Sequence, residues 1–375
     1  MKLIELHILQ SFPVTCLNRD DLGAPKSARF GGIERARVSS QCWKRAVREL
    51  AHETMPNLFG ASRSKILGPS IFKAAKEFGS DDRLAEAVKI LIVNTLGKDE
   101  KKQDQNMVKT LFFFSPESLK NVVRPLVTEG EKKLSNEMID GLLSDNDTKV
   151  KKAIKDAEKI SKELIKAFGD RVTDAADIAL FGRMVADDAS QTVEGAALFS
   201  HAISTHAVRS ELDFFSAVDD EKKGTDDAGA GQIGMVEYSS ACYYRYIGIN
   251  LDLLKQSKLF DQAQIKTVLE IFLRSTILAN PVARKNSMFG QTLPSYILAV
   301  KRSGQPISLA NAFEKPIAAS KDGFVTPSIA ALKQEWRDLK TIFGINGEIE
   351  CEIEKGKNST ASLADVLAKL LADVG

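Results

Sequence analysis

Lys44, Arg45 and Arg48 fall three and four residues apart, with Gln41 one turn before them. On a helix that spacing places all four along one face. Trp43, Ala46, Val47 and Leu50 fall on the opposite face and can seat the helix on a core. Ser39 and Ser40 stand where an N-cap belongs, and a helix N-terminus attracts anions through its free N–H groups. A row of cations beside such a terminus makes a track for phosphates. The same spacing also suits an ordinary solvated face, although no acid interrupts this one until Glu49. Segment 19–48 carries eight cations (Arg19, Lys26, Arg29, Arg35, Arg37, Lys44, Arg45 and Arg48) against Asp20, Asp21 and Glu34, a balance of +5. The whole 375-residue chain is only +2, so its positive charge is local.

Other chemistries are less well supported. Adjacent Asp20 and Asp21 could hold a metal for phosphodiester cleavage, yet neighbouring loop aspartates also build turns or pair with nearby arginines. Gly229, Gly231 and Gly234 have dinucleotide-fingerprint spacing, but they follow an acidic stretch and precede the strand-like Met235-Val236-Glu237-Tyr238. The fingerprint needs a strand before it and a helix after it, so cofactor binding is not expected. His201 and His206, five apart, would face different sides of a helix, and no HExxH occurs. Cys16, Cys42, Cys242 and Cys351 form no CxxC pair, which argues against a zinc ribbon or disulfide framework and for a reducing compartment. The expectation is therefore no catalytic residue, no metal and no cofactor.

The elements that position these residues read as α+β. Residues 3–9 suggest a strand, 11–34 a polar loop, and 38–54 a helix capped by Ser39 or Ser40. From 56 to 181 the chain is rich in Lys, Glu, Leu and Ala, and Leu134, Met138, Leu142, Ile154, Ile160, Leu164 and Phe168 recur at helical spacing. Within and after that block, 177–184 suggests a buried strand and 196–206 a short helix. Strand-like 212–215 and 235–238 flank the polar stretch 219–231, a long hairpin with a mobile tip. Strands are expected at 241–251 and 295–300, and helices at 260–279 and 327–342. Ser362 and Asp365 form a capping box for a last helix.

Composition sets the outer bounds. The chain is 43% hydrophobic and 27% charged, ordinary values for a globular protein. No run of about 18 uncharged apolar residues occurs, so no membrane span is expected. Glu5 and His7 interrupt the place of a secretory apolar stretch, and the expected location is the cytoplasm.

Beyond these readings, the residues carry a resemblance. Cys16-Leu17-Asn18-Arg19-Asp20-Asp21, Phe30-Gly31-Gly32 and Arg37-Val38-Ser39-Ser40-Gln41 with Lys44-Arg45 resemble the N-terminus of the Cascade backbone subunit of the CasC type (type I-E CRISPR), a RAMP-superfamily protein. Asp177-Ile178-Ala179-Leu180 with Gly182-Arg183-Met184, His201 to His206, Phe215 to Asp220, Tyr244-Arg245-Tyr246 and Ala310 to Lys315 continue the likeness in order. Within 58–176 it is one of composition only. The resemblance implies an RRM-like (ferredoxin-like) palm with a helical finger insertion and a β-hairpin thumb. Its divisions would be palm 1–57, finger 58–181, palm 182–206, thumb 207–242, and palm with C-terminal helices 243–375. It implies CRISPR RNA, target DNA reached through the guide, other copies of the chain and other Cascade subunits as partners, and no membrane. Arg19, Lys26, Ser39, Ser40, Gln41, Lys44, Arg45 and Arg48 would hold the RNA backbone, while Met184, Phe215 and Ser216 would flank a displaced base. The acidic stretch 219–227 would belong to the thumb, and Ala310 to Lys315 to a surface that packs on neighbours. A subunit that accepts any guide must bind phosphate and ribose rather than base edges. The other reading is a metal-dependent endoribonuclease of the same superfamily using Asp20 or Asp21.

Overall fold

The computed structural model describes residues 1–97, 106–128, 134–168, 172–183, 192–218, 230–257, 260–356 and 361–374. The elements run β1 (Lys2–Thr15), β2 (Ser27–Phe30), β3 (Ile33–Val38), α1 (Ser40–Thr54), β4 (Ser62–Ile66), α2 (Gly68–Glu77), α3 (Asp82–Thr95), β5 (Met107–Phe114) and α4 (Pro116–Val127). Next come α5 (Asn136–Leu142), α6 (Asp147–Asp156), α7 (Glu158–Ala167), α8 (Ala176–Phe181), β6 (Ala197–Phe199), β7 (Ala202–Ser204), β8 (Glu211–Val218) and β9 (Ala230–Asn250). The chain ends with α9 (Leu251–Gln256), α10 (Ile265–Leu278), β10 (Tyr296–Ser303), α11 (Val325–Phe343), β11 (Ile349–Glu354) and α12 (Leu363–Leu370). It divides into two compact units. One holds Met1–Leu50, Ala197–Leu251 and Leu269–Val374; the other holds Ala51–Ala196 and Asp252–Val268. No helix among the described residues is long and apolar enough to cross a membrane.

The first unit is built on one antiparallel sheet in the order β11-β10-β1-β9-β7-β3-β2, with β6 and β8 also paired to β9. Alternation along β9 explains its apolar sequence, because both faces of its second half are covered. Tyr244 and Tyr246 meet Leu332 and Trp336 of α11 on one face. Tyr243 meets Phe12, Val38 and Trp43 of α1 on the other. On that second face Phe272 of α10 also stands edge-on to Phe199, ring centres 6.2 Å apart. Beneath α11, Glu5 is buried and ion-paired with Arg302, and it accepts hydrogen bonds from Tyr246 and the Ile307 N–H.

The second unit is mainly helical. Ile71, Val88, Leu91, Leu119, Val122 and Leu126 of α2, α3 and α4 form its core with Phe112 of β5. Leu134, Leu142, Leu164 and Phe168 are buried in that core, while Met138, Ile154 and Ile160 pack on it, as their spacing requires. Asp81, Ser115, Ser135 and Asn146 each cap the next helix from α3 to α6, which explains how so many short helices hold their ends.

Four local expectations change. Ala176–Phe181 is a helix, ended by Gly182 at φ 79°, because a short apolar run has no period that separates strand from helix. The 196–206 stretch is β6 and β7 rather than a helix, its backbone claimed by β9 and β3. β1 runs on to Thr15, with a bulge after Phe12 that accommodates exposed Pro13. The polar loop 11–34 then contains the β2–β3 hairpin, turned by Gly31 and Gly32 at φ 59° and 75°. A β4–β5 ladder also stands within the helical block. The hairpin of β8 and β9 forms as expected, pairing Glu211 with Tyr238 through Val218 with Ala230. Its acidic stretch 219–227 lies outside the described residues, as does Met184.

Candidate nucleic-acid interface

The N-terminus of α1 is built before its cations matter. Ser39 is buried, and its hydroxyl accepts the Cys42 N–H at 3.2 Å, the expected N-cap. The Ser39 N–H donates to Asn18 Oδ1 at 2.9 Å, while the Asn18 carbonyl accepts the Lys26 N–H at 2.9 Å. One asparagine therefore ties the Arg19–Lys26 loop to the helix cap. Arg19 bridges to Pro25 across that loop and is exposed; Lys26 is half-buried. The Ser40 N–H donates to His201 Nδ1 at 3.2 Å, and the Ser40 hydroxyl to Gln41 Oε1 at 3.3 Å. Burial, then Arg37 and Lys26, lower the His201 pKa, so the ring remains a neutral acceptor for the helix terminus.

Trp43, Ala46 and Val47 are buried as expected, with Leu50 half-buried. Burying one large aliphatic side chain contributes about 1.5–3 kcal/mol, enough to orient the helix. Gln41 and Arg45 are exposed on the other face, with Lys44 and Arg48 half-buried beside them. The Lys44 ammonium lies 5.7 Å from the Phe199 ring centre on β6. Arg45 pairs with Glu49 at 2.7 Å, so this cation is shared with an acid one turn on. Such exposed pairs are worth only about 0.3–0.5 kcal/mol. The structure thus brings Arg19, Lys26, Ser39, Ser40, Gln41, Lys44, Arg45 and Arg48 into one region of the first unit.

Arg35, one of the eight cations of segment 19–48, faces inward. It is fully buried and donates to the carbonyls of Phe30, Ser204, Phe313 and Glu314. Burial lowers its pKa, and its charge faces backbone oxygens rather than solvent. The Ala310–Phe313 turn carries buried Phe313, which gives this stretch an internal packing role. Phe215 and Ser216 lie on β8 and, as strand neighbours, point to opposite faces. Phe215 faces Gly234 across the hairpin, where a Cβ would stand 2.4 Å from the ring. On the other face Leu212, Phe214 and Met235 are exposed by 60%, 69% and 63%.

Asp20 Oδ1 accepts the N–H groups of Leu22 and Ala24, both at 2.9 Å, so this carboxylate builds its own loop. No cluster of three His, Cys, Asp or Glu side chains suited to a metal occurs among the described residues. The cysteines are all free. His206 Nε2 accepts the Cys242 N–H at 3.1 Å while its ring stacks on Phe324. Sequence reasoning assigned no role to Asn18, Phe199 or His201. Phe199 and His201 come into place only through β6 and β7, and Asn18 acts through both its backbone and its side chain.

The model of the CT1975-like proteins matches residues 4–372, and the chain belongs to that family. A chain of a solved CRISPR RNA-guided surveillance complex in a pre-nicking state matches with TM-score 0.76 and 27% identity, covering 100% of both chains. A chain of a second CRISPR RNA-guided surveillance complex matches with TM-score 0.62 and 23% identity, covering 99% of each. No curated protein matches the chain.

Proposed function

We propose that this chain is a non-catalytic backbone subunit of a type I-E Cascade surveillance complex. Several copies hold the CRISPR RNA by its sugar-phosphate backbone and present its spacer for pairing with target DNA. The observation that carries this reading is the convergence on the α1 N-terminus. Asn18 and His201 fix there a loop with Arg19 and Lys26 and a helix face with Gln41, Lys44, Arg45 and Arg48. Full-length likeness to a surveillance-complex chain supports it independently.

The order β10-β1-β9-β7, with α1 between β1 and β7 along the chain and α10 between β9 and β10, supports a ferredoxin-like palm. The mainly helical second unit suits a finger and the β8–β9 hairpin a thumb, with Phe215 against a base of any identity. Repetition of a modest site along one strand would supply affinity by avidity, with packing against other copies and other Cascade subunits. The endoribonuclease reading is less favoured, because Asp20 spends a carboxylate oxygen on its own turn. Incubating the assembled complex with complementary RNA and Mg²⁺ tests it: cleavage above an Asp20→Ala/Asp21→Ala control would revive it. The main test is Lys44→Glu with Arg48→Glu, which should lower RNA affinity about a hundredfold or more at moderate salt. Wild-type RNA retention in that variant would overturn the proposal.

A further inference from the structure

Arg284 is the one non-glycine residue with positive φ, 50°, among the described residues. Side-chain-bearing residues rarely adopt that conformation, and where they do the surroundings hold them there, often at a site of function. Here the surroundings are specific. Segment 281–293 seats on the end of β1, where a Cβ on Gly290 would stand 2.2 Å from Thr15 Cγ2. From that seat Arg284 reaches the Asp20–Ala24 turn. Its Nη2 lies 3.7 Å from where a Gly23 Cβ would be, and its charge works against the burial that raises the Cys16 thiol pKa. Arg284 Nε is buried with no partner, and no carboxylate pairs with this guanidinium among the described residues.

Around it the surface has two characters. Lys285 is exposed on the same segment, and exposed Arg19 is on the neighbouring turn. Leu22, Phe289 and Leu293 are exposed by 93%, 77% and 58%. Cations without carboxylate partners beside a bare aromatic suit a strand that offers phosphates and unpaired bases. Two exposed acids, Asp20 and Asp21, share the turn, with Asp20 Oδ1 held by the Leu22 and Ala24 N–H groups; against Arg19, Arg284 and Lys285 they leave this patch a net +1. We infer that Arg284 and Lys285 extend the phosphate track beyond Arg19, with Phe289 as a stacking platform for the same single-stranded RNA. This rests on the proposed RNA-binding function and enlarges its footprint to a segment far away in sequence.

The test uses the full-length protein freed of nucleic acid, with a short fluorescent single-stranded RNA of mixed sequence, titrated at several salt concentrations. Arg284→Gly suits the backbone conformation and removes only the cation. It should weaken binding about fivefold to tenfold and reduce the slope of log affinity against log salt by about 0.7, the value of one contact to single-stranded RNA. Arg284→Lys should restore that slope. Phe289→Ser, a change at an exposed site, should weaken binding with the slope unchanged. Wild-type affinity and slope in Arg284→Gly, with binding still lost in Lys44→Glu/Arg48→Glu, would overturn this inference and leave the α1 site standing. Retention of RNA by the α1 variant as well would remove both.

Discussion

The two halves of β9 belong to one strand and live in different environments. From Ala230 to Tyr238 it pairs, among the described residues, only with β8, and Phe214 and Met235 stand in solvent on that ribbon. From Ala241 to Asn250 it lies between β1 on one side and β6 with β7 on the other, and its side chains are buried on both faces. Arg245 shows how far that burial goes. Its guanidinium lies 3.6 Å from the Trp43 ring centre and donates to Gln10 Oε1 and the Thr276 carbonyl. Burial pulls its pKa down to about 9. A cation held this way is a strut between α1, β1 and α10, not a ligand for anything outside. The comparison separates two uses of the same residue types: cations and aromatics in the inner half build the fold, whereas apolar residues in the outer half remain free for a partner.

Arg245→Ala should break the inner half most severely. It strips Trp43 of its cation and leaves Gln10 and the Thr276 carbonyl without a donor, a loss of about 3 kcal/mol or more in urea unfolding. A loss below about 1 kcal/mol would show that the strut is dispensable.

Acidification probes the same half. Burial, then Arg302, holds the His7 pKa near 3, and the ring stacks on Tyr246 while its Nδ1 meets the Tyr244 hydroxyl. The unfolded chain binds this proton below about pH 6.5 and the folded chain refuses it until near pH 3, so this stability is whole above 6.5 and falls as pH drops. The slope is about 1.4 kcal/mol per pH unit. His7→Gln should flatten the pH dependence of the unfolding free energy from urea titrations between pH 6.5 and 4 by that amount. Parallel profiles for the two proteins would refute the assignment.

Ser39→Ala should cost about 1 kcal/mol through the lost cap of α1, which the inner half seats through Arg245 and Trp43. The outer half should give the smallest response. Phe214→Ser removes an exposed side chain and should move stability by no more than about 0.5 kcal/mol. If it instead destabilised the protein as a core change does, the two halves would not be separable.

How much of this could be read beforehand followed from the length scale of each signal. Helix α1 was legible because fifteen residues carry both a period and a cap. Nineteen-residue α11 was legible by its period alone, with no side-chain cap, and α12 by the capping box that opens it. Three-residue β6 and β7 carry no period at all, and only their pairing to β9 and β3 makes them strands. The basic segment was legible as charge, yet Arg35, counted in its balance, spends its charge on four carbonyls inside the protein. Spacing gives the direction of a side chain only relative to its own element. Whether that direction meets solvent is decided by chain far away, here Ser204, Phe313 and Glu314.

The β2–β3 turn has a practical consequence for anyone attaching a label. Phe30-Gly31-Gly32-Ile33 looks like an insertion-tolerant tip, short, glycine-rich and near the surface. At Gly31, however, a Cβ would stand 1.8 Å from the Glu314 carbonyl oxygen. The length of this turn is therefore tied to that of the 304–316 segment, and Arg35 stitches both to Ser204. A tag inserted there would unseat β7 and, through it, the His201 contact with α1. The most inviting place in the sequence to add a residue is among the least suitable in the molecule.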